Sequence, residues 1–491
     1  MDGQRGIARR MVIGLPSGGL DTSWERDFSA YPPAGVILFR RDFDDAAALR
    51  RLSARLRELA RPRRLFIAMD EEGGFVSQLA GHFTVPPNAT LLARGAEPGD
   101  LAWVSRVTAE RLRALGVDWT FAPVADVHSE PRNPVIGPRA YGTTPAAVSA
   151  ALAEVLEGFS AGGIASCLKH FPGHGDTETD SHLALPVCRA DRETLERREL
   201  APFRAHLAAD AVMSAHVIYP AVDPERPATF SRRVLHDLLR DQLGFQGVCI
   251  TDALEMKGAS GERPLADAGR LAIEAGCDLL LFAFHSEEVR RARLKLADQL
   301  VDGDIDHALF DAARPRLAAF DARHPEPAAA ELERALDSLT PAGWEERLAR
   351  IIDRGLRVRE HGPGRGEAPG GAVEVTEPVW PSGASLREEL VRLGIPARVP
   401  VADSGVASPG TFAIEVISSR VPLDDGTLAA LKERCRARPT ALIALQSDAF
   451  LDAADEAALR ISACDATPLT RRGVAQRLAT FLRSSSPARR A

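Results

Sequence analysis

A chain of 491 residues with 45% hydrophobic and 26% charged side chains has room for two or three domains with cores of their own, which excludes wholesale disorder and any need for covalent or metal staples. A net charge of −7, with no Lys/Arg stripe interleaved by aromatics, argues against nucleic acid as a partner. No run of about 18 apolar residues occurs, the opening MDGQRGIARRMVIGLP breaks at Gly14 and Pro16 before a signal-peptide core can form, and six scattered cysteines lack any CxxC pair, so a soluble, cytoplasmic protein with buried reduced thiols and no membrane partner is expected.

In chain order, short apolar runs alternate with amphipathic helical stretches as far as residue 285. The runs are MVIGLP (11–16), GVILF (35–39), LFIAMD (65–70), VDWTFAPV (117–124), IASCLKH (164–170), AVMSAHV (211–217), GVCITDA (247–253) and CDLLLF (277–282). Between them, segments such as DAAALRRLSARLRELA and DRETLERRELAPFRAHLAA repeat apolar residues every three or four positions, the period of a helix. The arginines within Arg50 to Arg64 read as a solvated helix face. Continuously apolar strands imply burial on both faces, and eight βα repeats predict a TIM (β/α)8 barrel over residues 1–330.

Polar residues gather at one end of these runs: Asp70 and Glu71, Asp126, Lys169 and His170, His216, Asp252, and His285. All stand at carboxyl ends of strands, the face on which the βα loops of a TIM barrel build an active site. Helical sequence is then expected from about Asp304 to Glu360, and the Gly/Pro-rich stretch from Gly362 to Gly371 completes a connection over residues 331–371. Beyond it AVEVTE, TFAIEVISS, TALIALQS and RISACD alternate with helical stretches, which predicts a smaller C-terminal α/β layer domain over 372–491. It has no Gly-rich phosphate loop after a strand, so no nucleotide cofactor is expected.

The densest chemistry lies in KHFPGHGDTETDSH, residues 169–182. His170 and His174 are four apart, as in a helical zinc motif, but Pro172, Gly173 and Gly175 forbid a helix there, and no metal is expected. Asp180 and His182, two residues apart in an extended loop, can point the same way, so that the carboxylate orients the imidazole and supports its protonated form. Asp252, at the end of GVCIT, can then attack a carbon centre or stabilise positive charge on it. An acid/base group and a carboxylate on opposite sides of one bond describe retaining glycoside hydrolysis, with histidine in place of the usual second carboxyl. Asp70, Arg139, Lys169 and His170 are placed to line such a pocket and bond sugar hydroxyls.

Together KHFPGHGDTETDSH, ITDALEMKG, APVADVHSEPRNPVIGPRAYG and MSAHVIYPAVDPERPATFS resemble the glycoside hydrolase family 3 β-N-acetylglucosaminidases of the peptidoglycan-recycling type, in consistent order over about residues 10 to 290. The resemblance implies Asp252 as nucleophile, His182 as acid/base and Asp180 as its partner. It implies Asp70, Arg139, Lys169 and His170 as the grip on a non-reducing N-acetylglucosamine, with Gln78, His216 and Met256 beside them. The implied reaction is exo-acting removal of β-linked N-acetylglucosamine from peptidoglycan-derived fragments, a small carbohydrate substrate, without cofactor. Phosphorolysis by the same site and sugar binding without turnover are the alternatives. One departure stands out: DEEGGFVSQ puts Phe75 and Gln78 where the family usually has arginines, and Gln78 supplies neither the charge nor the fork of donors.

Overall fold

The eight apolar runs become eight short parallel strands: β1 (Met11–Ile13), β2 (Gly35–Ile37), β3 (Phe66–Met69), β4 (Trp119–Thr120), β5 (Cys167–Phe171), β6 (Ala211–Ser214), β7 (Val248–Thr251) and β8 (Leu280–Phe282). In this computed structural model, which describes residues 3–179, 185–261, 263–284, 286–360, 373–380, 383–399 and 412–484, the ladder runs β8-β1-β2-β3-β4 and, separately, β5-β6-β7. Bridges between Trp119 and Ala165 and between Ile250 and Leu279 join the two runs, so the ring of parallel strands closes. The expected (β/α)8 barrel is present, and each strand is buried on both faces because helices cover the outside.

Alternation along each strand decides what fills the ring. Val12, Ile37, Phe66 and Ala68, Trp119 and Phe121, Cys167, Ala211 and Met213, Val248 and Ile250, and Leu279 and Leu281 share one buried cluster. Phe320, on the helix Arg314–Arg323, closes the bottom of this cluster, its ring 4.9 Å from both Phe66 and Trp119. Residues of the opposite parity, such as Met11, Leu168, Val212, Cys249 and Leu280, pack outward into the layer beneath the helices. All six cysteines are buried and free, as expected. No helix among the described residues is long and apolar enough to cross a membrane.

The helix Ala46–Ala60 starts where Asp45 caps it, accepting from the Ala48 N–H at 2.6 Å. Its arginines correct the expectation of a solvated face. Arg51, Arg55 and Arg61 are exposed, but Arg57 turns inward and, with Arg64, reaches the fully buried Asp118 at 2.9 Å each. A guanidinium enters the interior here because a carboxylate waits for it, which periodicity alone does not reveal.

The chain divides into two compact units. The barrel unit holds the residues up to Glu72, Gly99–Ile136 and Ala140–Pro341; the second holds Gly73–Pro98, Gly137–Arg139 and the residues from Ala342 on. The second unit is built on a sheet of β9 (Arg357–Glu360), β10 (Val373–Thr376), β11 (Ala397–Arg398), β12 (Ala413–Ile417), β13 (Thr440–Ala444) and β14 (Leu459–Ser462), in the order β9-β14-β13-β12-β10-β11. All pairs are parallel except β9 with β14. Helical sequence was expected through Glu360; instead the helix ends at Gly355 and Arg357–Glu360 is a fully exposed edge strand, its alternating RVRE paired along β14. Within this unit Gly73–Pro98 is tied to the end of β14: the Asn88 N–H donates to Asp465 and its side-chain amide to the Cys464 carbonyl, both at 3.0 Å.

Candidate active site at the barrel mouth

The inner row of residues continues past the carboxyl ends of the strands. Asp70 lies two beyond Ala68, Lys169 two beyond Cys167 and Asp252 two beyond Ile250, so alternation sends all three side chains inward at the mouth. Lys169 is buried, and its ammonium lies 2.7 Å from Asp70 Oδ1 and 2.5 Å from Glu72 Oε1. A desolvated cation between two carboxylates satisfies the rule that buried charge must be paired, and it holds Asp70 at the rim, about a quarter of its side chain exposed at 24%.

His170 is positioned by Asp126, the polar residue after β4. One carboxylate oxygen, Oδ2, lies 2.7 Å from His170 Nδ1, while the other accepts the backbone N–H groups of His170 at 3.1 Å and His174 at 2.7 Å. Asp126 therefore fixes both the ring and the turn of chain that follows β5. His174 Nδ1 meets the Thr177 hydroxyl at 2.9 Å, and burial together with the neighbouring His170 pushes the His174 pKa down to about 4. With both Nδ1 atoms engaged in this way, the two histidines form a hydrogen-bonded brace for the loop. Among the described residues, the group of three or more His, Cys, Asp or Glu whose ligand atoms all lie within 4.8 Å of one another is His236, Asp237 and Asp241, on the helix Arg233–Gln242 outside the strand-end set.

Asp252 occupies the end of β7, partly exposed, with Oδ1 accepting the Ala253 N–H at 2.7 Å. Its second oxygen takes no hydrogen bond among the described residues. Burial alone would raise the pKa of this carboxyl, but the neighbouring His216 and His170, the Ala253 N–H and Lys169 outweigh it, and the net shift is downward. The group is a carboxylate at neutral pH with one oxygen open. His216 is buried beneath it, its ring nitrogens 2.8 Å from the Thr229 hydroxyl and 3.0 Å from the Ala253 carbonyl. Because a carbonyl only accepts, Nε2 carries a proton, and the imidazole fastens the backbone that presents Asp252. Met256 lies half-buried against the inner core cluster.

Of the residues singled out from the sequence, the structure thus brings Asp70, Lys169, His170, His216, Asp252 and Met256 to one end of one barrel. Gln78 and Arg139 belong to the second compact unit, Arg139 in a short turn of helix and Gln78 just after the strand Val76–Ser77. Asp180, His182 and His285 lie outside the described residues. Sequence reasoning passed over Glu72, the role of Asp126 as the orienter of His170, and Thr229. Asp126 was visible as one of the strand-end polar residues; Glu72 and Thr229 carry no local signal, since their partners are 97 and 13 positions away.

Three comparisons bear on this geometry. The model of the glycosyl hydrolase family 3 N-terminal domain matches residues 22–320. A beta-hexosaminidase of Neisseria meningitidis is 43% identical over 256 residues, 50% of this chain and 70% of that protein, and one of Chromobacterium violaceum is 42% identical over 276 residues, 54% and 76%. Among solved structures, a glycoside hydrolase family 3 beta-N-acetylglucosaminidase from Paenibacillus superposes with a TM-score of 0.85 at 29% identity, covering 97% of this chain and 96% of that one. NagZ from Neisseria gonorrhoeae, solved in complex with N-trifluoroacetyl-D-glucosamine, superposes with a TM-score of 0.57 at 32% identity, covering 71% of this chain and 99% of its own.

Proposed function

The chain belongs to glycosyl hydrolase family 3, and on that premise we propose that it is a retaining, exo-acting β-N-acetylglucosaminidase that removes non-reducing N-acetylglucosamine from peptidoglycan-derived fragments in the cytoplasm. The observation that carries the reading is Asp252: an ionised carboxylate at a strand tip, held below its ordinary pKa, with one oxygen uncommitted. Such a group attacks a carbon centre. In the first step Asp252 bonds to the anomeric carbon while His182, paired with Asp180, protonates the departing glycosidic oxygen. In the second, His182 takes a proton from water as that water displaces the carboxylate, and two inversions return the β configuration.

Asp70, Lys169 and His170 hold the sugar hydroxyls in this reading. The Lys169 cluster supports it by keeping charged acceptors and a donor in a fixed arrangement, and Asp126 by locking the His170 ring. His216 and Met256 flank the nucleophile. The buried, free thiols are in keeping with a reducing compartment.

The test is a panel of 4-nitrophenyl glycosides (N-acetyl-β-glucosaminide, β-glucoside, β-xyloside, N-acetyl-β-galactosaminide) with and without phosphate, read by nitrophenolate release and by NMR of the first anomer formed. Preference for the N-acetylglucosaminide with β-configured free sugar as first product is expected. Sugar 1-phosphate as the main product in phosphate replaces hydrolysis by phosphorolysis, and an α-configured first product removes the covalent mechanism.

A further inference from the structure

Two residues beyond β8, past the inner-row residue Ala283, stands an aromatic ring that is not tucked away. Phe284 is 53% exposed, yet its backbone is held from two sides. Glu255, three residues after Asp252, accepts the N–H groups of Ala283 at 3.2 Å and Phe284 at 3.1 Å. On the other side Gly14, just past β1, packs so closely that a Cβ there would lie 2.0 Å from the Ala283 carbonyl oxygen, and the Gly14 N–H donates to the Phe282 carbonyl at 2.7 Å. A scattered exposed apolar side chain needs no explanation. This one is built in.

Phe284 also has company. Phe39 continues the inner row of β2, two residues past Ile37, and its ring lies parallel to that of Phe284, 4° between planes and 6.1 Å between centroids. The Arg41 guanidinium stands 4.3 Å from the Phe39 centroid and 4.4 Å from that of Phe284. Arg41 is kept there by the Ala283 carbonyl, which accepts from Nη2 at 3.2 Å, and by Asp42 at 3.7 Å from Nε. Asp42 in turn accepts the Phe39 N–H at 2.8 Å. Cation–π contact engages the face of a guanidinium and leaves its edge donors free to bond in the plane.

Phe39 and Phe284 both lie past the carboxyl ends of their strands, at the same end of the barrel as Asp252, and Phe284 stands exposed at that rim. In an exo-acting pocket the sugar under attack is innermost, and the exposed rim belongs to the leaving group.

We propose that Phe39, Arg41 and Phe284 form the leaving-group subsite, taking an aglycone that presents an apolar ring face to Phe284 and a carboxylate to Arg41. This rests on the glycosidase reading above. The open ring face stacks on the apolar side of a ring, and the guanidinium edge offers the planar fork that carboxylates fit.

The test compares kcat/KM for three N-acetyl-β-glucosaminides: methyl, 4-carboxamidophenyl and 4-carboxyphenyl. In Phe284→Ala both aryl substrates fall relative to the methyl one by about three- to tenfold, through KM, and Phe284→Tyr restores the ratio. In Arg41→Gln the preference for carboxyphenyl over carboxamidophenyl falls by a similar factor. Phe284→Leu keeps apolar volume without the π face and reads the same ratio should the alanine variant fold poorly. Unchanged ratios in active variants overturn the subsite alone; absence of turnover of all three by the unmodified protein overturns the glycosidase reading and the subsite with it.

Discussion

The two ends of the barrel use the same residue, aspartate, to opposite ends. At the amino ends of the strands, Asp118 just before β4 and Asp278 just before β8 are fully buried and saturated. Asp118 takes Arg57 and Arg64 at 2.9 Å each and the Ile67 N–H at 2.8 Å. Asp278 takes Arg240 and Arg316 at 2.7 Å each and the Cys249 N–H at 2.8 Å. At the carboxyl ends, Asp252 accepts one backbone N–H and is held below its ordinary pKa largely by His216, His170 and Lys169, which it does not bond. Saturation repays the cost of burying a charge but consumes every lone pair. An oxygen meant to attack carbon must be left open, so a mouth aspartate is stabilised through the field of its neighbours and an amino-end aspartate through contact.

The sharpest way to break this contrast is Asp252→Ala. On the proposed mechanism turnover of 4-nitrophenyl N-acetyl-β-glucosaminide falls by about 10³-fold or more, while a denaturation midpoint shows a stability change within roughly 1 kcal/mol, since the loss of one charge-assisted hydrogen bond is offset by removal of a desolvated charge. Retained activity removes Asp252 from the chemistry.

Lys169→Met is expected to blur the two categories. It leaves Asp70 and Glu72 facing each other without their cation, so stability falls by about 3–5 kcal/mol and kcat/KM by about 100-fold, read by urea denaturation and by kinetics on the same preparation. A variant with intact stability and low activity would make Lys169 a purely functional group.

Asp118→Ala tests the saturated end. Stranding the buried Arg57 in the interior and taking from Arg64 one of its partners costs about 3–5 kcal/mol of stability, whereas kcat/KM of the folded protein stays within about twofold, because the strand tips at the opposite end are untouched. A large kinetic effect without unfolding would show that the ends are coupled.

Residues differ in how much of this contrast a reader of sequence can see. The eight strands are legible because each is a continuous apolar run, and Asp70, Lys169 and Asp252 because they extend an alternating inner row by one step. Partnerships are not legible. Arg57 looks like its exposed neighbours Arg55 and Arg51 until Asp118 is brought beneath it, 61 positions on. Glu72 looks like Glu71 until Lys169 arrives. Arg357–Glu360 is a strand only because β14, a hundred residues later in the chain, offers an edge. Gln78 and Arg139, which lie between barrel strands in sequence, sort with the second unit for the same reason: nonlocal packing, not local pattern, decides.

The smallest expected effect concerns Glu199, which lies between the two kinds of aspartate in character. Its side chain is fully buried against Gly173 in the loop after β5; Oε1 bonds Arg198, which also holds Asp176, while Oε2 has no partner among the described residues. Burial pushes its pKa up to about 7, Arg198 pulling it down and Asp176 and Asp126 adding to the rise. A carboxyl raised in the folded state keeps its proton where the unfolded chain has lost it. Between about pH 4.5 and pH 7 the unfolded state therefore binds fewer protons, and stability falls as pH rises through that window, levelling above it. Replacing Glu199 by Gln removes the titration and adds a constant offset from the weakened Arg198 pairing. The stability of Glu199→Gln relative to the unmodified protein, measured by urea denaturation at half-unit steps from pH 5 to pH 8.5, should rise steadily to about pH 7 and then hold. A difference that is flat across the range means that Glu199 ionises like an exposed glutamate and that its unpartnered oxygen is satisfied by water.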